Sequence, residues 1–90
     1  MIHKIQEELI SEVNEAKKKI KVGGKYFHYK HSDQLYTVLR IGLIEKAERI
    51  CVIYEAEYGG KLVWVRPLED FLAKVRLEDG TEVDRFTKVE

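Results

Sequence analysis

Two apolar runs separated by a glycine pair constrain the fold of this chain more than any other part of its sequence. Residues 50–72 read ICVIYEAEYGGKLVWVRPLEDFL, and Gly59-Gly60 divides them. Runs rich in β-branched and aromatic residues on both sides of a Gly-Gly turn are typical of a β-hairpin. We therefore expect the rest of the fold to be built around an antiparallel pair of strands.

The length of the turn decides which side chains of this hairpin share a face. With a two-residue loop at Gly59-Gly60, Tyr54 pairs with Val65, and their face is small, β-branched and suited to a core. The opposite face then carries a mixed set of side chains: Trp64, Arg66, Glu55 and Glu57. A three-residue loop would exchange the two faces on one strand, because side chains alternate with period two.

The length and the charge balance of the chain limit the functions that it can have. Ninety residues make one domain with one modest core and little room for a deep cleft. The 16 basic and 16 acidic side chains cancel, which removes the simplest argument for a nucleic-acid partner. Cys51 lies in an apolar run and is interpreted as a small buried hydrophobe. No apolar run approaches the ~20 residues of a membrane span, and no signal-peptide pattern opens the chain, so we expect a cytoplasmic protein.

Residues 1–22 predict an amphipathic N-terminal helix. Apolar side chains recur there at steps of three and four: Ile2, Ile5, Leu9, Val13, Ala16 and Ile20. Gly23-Gly24 ends the helix, since glycine enters the left-handed region without a side-chain penalty. The stripe is expected to be buried against the sheet, and a homodimer through this helix is a related hypothesis.

Short strands with tight turns are predicted for residues 23–90. Lys25–Lys30 and Leu35–Ile44 read as strands joined by a polar turn, with a bend at Gly42. The second strand is predicted to place these residues on one face: Leu35, Thr37, Leu39, Ile41 and Leu43. Pro67 begins a single helical turn, and Asp79-Gly80 marks a last hairpin between residues 73–77 and 82–86.

These elements predict a mainly β fold that forms a single folded unit. We expect a small SH3-like antiparallel barrel or roll of five to six strands with the helix added at its N-terminus. An open α+β sheet with the helix across one face is the alternative.

No residue pattern for catalysis or metal binding stands out. His28 and His31 lack the cysteine or acidic pair that would complete a metal site. Ser11 and Ser32 lack the context of a catalytic nucleophile. We therefore expect neither a metal nor a cofactor, and a non-enzymatic role is favoured over a small enzyme or an enzyme subunit.

The aromatic residues and one arginine form the best candidate for a functional surface. Exposed aromatic side chains on small barrels offer flat surfaces to peptides, bases or cations. The candidate ligand-binding residues are Tyr26, His28, Glu55, Trp64 and Arg66. The competing interpretations are that Trp64 and most tyrosines fill the core, and that Arg66 forms a structural ion pair with Glu55 or Glu69.

A binding module for a peptide or small ligand is therefore the predicted function. Nucleic acid is the alternative ligand, because a basic stripe would lie beside Tyr26 and His28. That stripe consists of Lys17, Lys18, Lys19, Lys21, Lys25 and Lys30.

Over about residues 23–87 the chain resembles the bacterial domain-of-unknown-function family 1653. The resemblance is carried by Gly24-Lys25-Tyr26, His28-Tyr29-Lys30, Tyr36, Val38-Leu39, Val52-Ile53-Tyr54, Tyr58-Gly59, the run LVWVRPLE from Leu62 to Glu69, and Phe71. Two positions depart from the family pattern: the turn after Tyr58 is shorter, and Asp84 stands where proline is expected. The resemblance implies a small SH3-type barrel in bacterial cytoplasmic proteins, with no established biochemical activity.

Overall fold

The computed structural model describes residues 5–89 and has a mainly β fold with one long helix at its N-terminal end. The elements run in the order α1 (Gln6–Lys19), β1 (Lys25–His28), β2 (His31–Ile44), β3 (Arg49–Ala56), β4 (Val63–Pro67), α2 (Leu68–Leu72), β5 (Lys74–Arg76), β6 (Glu82–Asp84) and β7 (Phe86–Val89). Five strands form an antiparallel sheet in the order β4-β3-β2-β1-β7, and β5 pairs with β6 separately. The sheet is not closed into a barrel, because β4 and β7 are its two edges. The mainly β class is confirmed, with seven strands in this range instead of five or six.

Helix α1 is buried most completely at its C-terminal end. Ala16 and Ile20 are each 1% exposed, whereas Ile5 is 57% exposed. Leu9 and Val13, which lie between them, are half-buried. The predicted apolar stripe is therefore buried over part of its length, and Ile2 falls outside the described residues. Dimerisation through this helix stays a prediction.

Strand β2 is bent by a bulge at Leu39. Val38 pairs with Tyr54 and Arg40 pairs with Ile53, so Leu39 has no partner across the ladder. The extra residue reverses the alternation of side chains, and the prediction that Leu35, Thr37, Leu39, Ile41 and Leu43 share one face is wrong. The predicted bend at Gly42 is displaced as well. Gly42 instead leaves room for the Ile53 side chain, because a Cβ there would lie 3.0 Å from Cδ1 of Ile53.

The central hairpin has a register one residue away from the predicted two-residue loop. Tyr54 pairs with Trp64 instead of Val65, and Glu55 pairs with Val63. Lys61, at a φ of 54°, lies between the Gly59-Gly60 turn and Leu62, the residue that hydrogen-bonds to Ala56, and so lengthens the loop. As the three-residue alternative anticipated, the faces on β4 are exchanged. We call the face that carries Tyr54 and Trp64 the inner face; Glu55 lies on the outer face.

The core lies on the inner face and is dominated by aromatic rings. The rings of Phe71 and Phe86 stack with centroids 4.1 Å apart, and Tyr26 and Tyr54 each meet Phe71 edge-on at 5.4 Å. Aliphatic side chains complete the cluster: Ile20, Val38 and Val52. Because Pro67 begins the predicted helical turn, α2 presents Phe71 to this core.

The structure also tests the interpretation of Cys51 and the expectation that no segment spans a membrane. Cys51 is 1% exposed, so its interpretation as a small buried hydrophobe is confirmed. Burial raises the pKa of its thiol, which disfavours the reactive thiolate. Neither helix within residues 5–89 is long and apolar enough to cross a membrane.

Candidate ligand-binding site

A pocket of about 230 Å³ opens to solvent on the inner face, beside the edge strand β4. Its walls come from β1, β2, β3, β4 and β7. The lining residues are His28, Lys30, His31, Tyr36, Tyr54, Trp64, Arg66 and Phe86. We call this site the aromatic–arginine pocket.

Strand pairing and the bend of the sheet bring these side chains together. Trp64 and Arg66 are two residues apart on β4, so their side chains share the inner face. At the other edge of the sheet, His28 pairs with Phe86 and their rings lie 5.1 Å apart. The two edges approach each other here, since the Arg66 guanidinium lies 5.4 Å from the Phe86 ring centroid. The pocket is the opening that remains between them.

Arg66 is held by aromatic neighbours. Its Nε donates a hydrogen bond of 3.2 Å to the Tyr54 hydroxyl, and its guanidinium lies over Phe86. Glu69 is paired with Arg49, and Glu55 lies on the outer face. Within residues 5–89 no carboxylate forms an ion pair with Arg66, so the interpretation of Arg66 as the partner of Glu55 or Glu69 is wrong. In the described part of the chain, no hydrogen bond engages the two terminal nitrogens of the guanidinium.

The pocket carries positive charge. Burial lowers the pKa of His28, and the charges of Arg66, Arg85 and Lys30 lower it further. Arg85 also has a buried Nε without a hydrogen-bond partner in the described part of the chain. None of the described residues lining the pocket is acidic. An anion entering the pocket would therefore meet a positive potential that no carboxylate of the described lining offsets.

The aromatic walls remain neutral. Tyr36 meets Tyr54 edge-on at 5.4 Å and shares a hydrogen bond between hydroxyls with Tyr58. Burial, together with this hydrogen bond, raises the pKa of Tyr36 to about 12. Its hydroxyl therefore stays protonated at physiological pH. Trp64 is 48% exposed and offers a flat apolar surface at the mouth of the pocket.

The structure brings together three of the five residues selected from the sequence. His28, Trp64 and Arg66 line the pocket. Tyr26 instead belongs to the core, where it is 5% exposed and its hydroxyl accepts a hydrogen bond of 3.0 Å from the Lys21 backbone N–H. Glu55 lies on the outer face, opposite Thr37 and Val63.

Sequence reasoning missed five of the lining residues: Lys30, His31, Tyr36, Tyr54 and Phe86. The alternative three-residue loop would have placed Tyr54 opposite Trp64, so that alternative already indicated Tyr54 as a pocket residue. Phe86 reaches His28 through the pairing of β1 with β7, which joins distant parts of the chain. No local sequence pattern predicts the pairing of β1 with β7.

A larger groove of about 600 Å³ lies between α1 and the end of β2. Its lining is mainly aliphatic and includes Leu9, Ile10, Val13 and Leu43, together with the polar side chains Gln6, Asn14 and Lys17. Among the described residues that line it, none is aromatic and Lys17 alone is charged, so they offer little chemistry for selecting a ligand. Size alone therefore does not identify the site, and the smaller pocket is the better candidate.

Comparisons with known proteins identify a family. Residues 24–88 match the family model described as "Protein of unknown function (DUF1653)". The match covers well over half of the chain and includes all the described residues that line the pocket, while α1 precedes it. The resemblance noted in the sequence is thereby confirmed. No curated protein and no solved structure matches the chain.

Proposed function

We propose that this chain, which belongs to the DUF1653 family, is a non-enzymatic recognition module. Its aromatic–arginine pocket holds an anionic group, the carboxylate of a peptide or the acidic group of a small ligand. One observation carries the proposal: cationic side chains converge on an aromatic-walled pocket in which none of the described lining residues is acidic. The family description supplies no activity, so the proposal rests on the pocket.

The recognition would use the Arg66 guanidinium as a planar fork. Its Nε is engaged by Tyr54 and its central carbon lies 5.4 Å from the Phe86 ring centroid, and these two contacts restrict how the fork can turn. A guanidinium held in this way binds a carboxylate or phosphate through two parallel hydrogen bonds. Trp64 would pack against the apolar part of the ligand.

An enzymatic role has less support. Among the described residues lining the pocket, His28 and His31 are the only imidazoles, the side chain that most often serves as a general acid or base. The same lining offers no serine, cysteine or carboxylate to act with them.

A nucleic-acid ligand is also less well supported. Lys25 pairs with Glu57, and Lys18 lies 3.3 Å from Glu15, so part of the predicted basic stripe is neutralised. Tyr26, beside which the stripe was predicted to lie, is buried. We rank this alternative below a peptide or small acidic ligand.

We also infer that the fold is an open variant of the SH3-like roll and that the protein acts in the bacterial cytoplasm. The bulge in β2, the short strands and the single-turn helix α2 support the first inference. The resemblance to the family supports the second.

A titration followed by nuclear magnetic resonance tests the proposed pocket. N-acetylglutamate amide is the acidic probe, and N-acetylglutamine amide is its neutral match. We expect the acidic probe to shift the signals of the Trp64 indole N–H, the Arg66 Nε–H and His28. Arg66→Lys should weaken this binding about tenfold, because it keeps the charge and loses the fork.

Arg76→Lys is the matched control, since Arg76 lies on β5, outside the pocket, and contacts Glu82 at 3.6 Å. The proposal is wrong if both probes act alike, if neither acts, or if Arg66→Lys binds the acidic probe as well as the parent protein does.

A further inference from the structure

Strand β4 has an open edge. It pairs with β3 on one side, and no other strand in the described part of the chain pairs with it. The Ala56 N–H donates a hydrogen bond of 2.9 Å to the Leu62 carbonyl, so the backbone groups of Leu62 and of every second residue after it point towards β3. Since alternate residues of an antiparallel strand face the partner, the N–H and C=O groups of Val63 and Val65 point away from β3. These groups are available to another strand.

The open edge carries few of the features that usually protect such edges. Charged residues, prolines and bulges prevent unwanted pairing in many sheets. Here Lys61 precedes the strand and Pro67 ends it. Between them Val63 is 52% exposed and Val65 is 59% exposed. An apolar, uncovered edge of this kind is the surface to which extended peptides add.

The pocket is suited to one side chain and is small for a whole ligand. Its volume of about 230 Å³ lies below the ~300–1,000 Å³ of typical small-molecule sites. Trp64 and Arg66 enter it from the same strand that carries the open edge. A residue of an added strand that lies opposite Trp64 has its side chain on the inner face as well. One bound segment can therefore use both the edge and the pocket.

We propose that β4 binds an extended peptide as an added antiparallel strand, with an acidic side chain of that peptide in the aromatic–arginine pocket. This inference rests on the proposed function and names its ligand. Residues on either side of the acidic one would lie beside Val63 and Val65 on the outer face, where β-branched apolar side chains fit best. An antiparallel arrangement continues the pairing of every strand in the sheet.

A second copy of the chain is a poorer occupant of this edge. Pairing two β4 strands would bring the sequence VWVRP to the edge, and that segment contains no acidic residue. The cationic pocket would then lack an anion. A peptide with a carboxylate satisfies both the edge and the charge.

The first experiment uses the capped peptide Ac-Thr-Val-Glu-Val-Thr-NH₂ and the full chain. We expect it to shift the signals of β4 and of the pocket, and to bind about tenfold more tightly than the same peptide with Gln in place of Glu. In antiparallel addition the valine N–H groups face β4 and the Glu N–H faces solvent. N-methylation of the valines should therefore weaken binding about tenfold or more, and N-methylation of the Glu should have little effect. Any other pattern overturns antiparallel strand addition.

The second experiment changes the protein. Val65→Pro removes the outward N–H without removing a hydrogen bond to β3, whereas Val65→Thr keeps that N–H. We expect the proline variant to bind the peptide about tenfold more weakly than the threonine variant, while both bind N-acetylglutamate amide equally. Equal peptide binding by the two variants contradicts the inference. Should the proline variant fail to fold, the N-methylated peptides decide the question with the parent protein.

These results separate the two proposals. If N-acetylglutamate amide binds in the pocket but the peptide gains nothing from the edge, strand addition is wrong and the pocket function stands. If neither probe perturbs the pocket, both proposals fail. If the β4 signals of the free protein change with protein concentration, a second copy covers the edge and the peptide proposal is overturned.

Discussion

The two ends of the aromatic cluster use similar rings for different purposes. At the closed end, Tyr26 packs against Phe71, and its hydroxyl accepts a hydrogen bond from the Lys21 backbone N–H just after α1. At the open end, Tyr54 packs against Phe86, and its hydroxyl accepts a hydrogen bond from Arg66. A backbone group satisfies one tyrosine and a charged side chain satisfies the other. The comparison shows that a part of a core becomes a candidate site when no element covers it and cations line its opening.

The largest difference between the ends is expected in stability. Phe71→Ala should lower the free energy of unfolding by about 3–5 kcal/mol, because Phe71 is 2% exposed and its loss leaves a cavity. Trp64→Ala should cost less than about 1.5 kcal/mol, since nearly half of that side chain already contacts water. Urea unfolding at neutral pH measures both values. Equal losses would show that the open end is as much a part of the core as the closed end.

Local chemistry explains the elements that could be predicted. Helix α1 is an exception: it ends at Lys19 with Ile20 already extended, so the prediction that Gly23-Gly24 ends the helix is wrong. Pro67 precedes α2, and its backbone preference is visible in any window of sequence. The strands that flank Asp79-Gly80 were recognisable for the same reason.

The failures arise where pairing overrides local preference. Lys61 adopts a positive φ, which is not expected for lysine. The one residue added to the loop exchanges the faces of β4. Glu55 was assigned to the site for that reason. The bulge at Leu39 is likewise defined by the partner strand β3, so Thr37 and Ile41 give no local sign that they lie on opposite faces.

Arg66→Lys should separate binding from stability at the open end. The Arg66 side chain forms one hydrogen bond to Tyr54 and lies over Phe86, contacts that are each worth about 1 kcal/mol. We expect the variant to lose less than about 1 kcal/mol of unfolding free energy, while its affinity for N-acetylglutamate amide falls about tenfold. Unfolding of the variant at pH 7 would instead make Arg66 part of the scaffold.

The two tyrosine hydroxyls provide a finer test. Tyr26→Phe should lower the free energy of unfolding by about 1 kcal/mol, because it leaves the Lys21 N–H without its partner. Ligand binding should not change. Tyr54→Phe should cost a similar amount of unfolding free energy, because it removes the hydrogen bond to Arg66, and it should also weaken the binding of N-acetylglutamate amide. The comparison fails if both variants change affinity equally.

The smallest expected effect is a dependence of the open end on pH, through His28. Burial, followed by the Arg66 charge, places the pKa of His28 below the ordinary value of 6.5. Well above pH 6.5 the imidazole is neutral in both the folded and unfolded protein, so its pKa shift changes nothing. As the pH falls below 6.5, the unfolded chain takes up the proton first, and stability falls until the pH has passed through the folded pKa. His28→Asn should reduce this loss, measured by urea unfolding at neutral and acidic pH.

A bound carboxylate should reverse the shift of His28, because it stabilises the imidazolium. Nuclear magnetic resonance titration of the His28 ring should therefore give a pKa below 6.5 in the free protein and a higher pKa with saturating N-acetylglutamate amide. The same linkage requires the acidic probe to bind more tightly as His28 becomes protonated, until the probe's own carboxylate is neutralised at lower pH. N-acetylglutamine amide is the control and should leave the pKa unchanged. If the acidic probe binds without raising the pKa, its carboxylate does not lie near His28, and the open end does not work as the comparison requires.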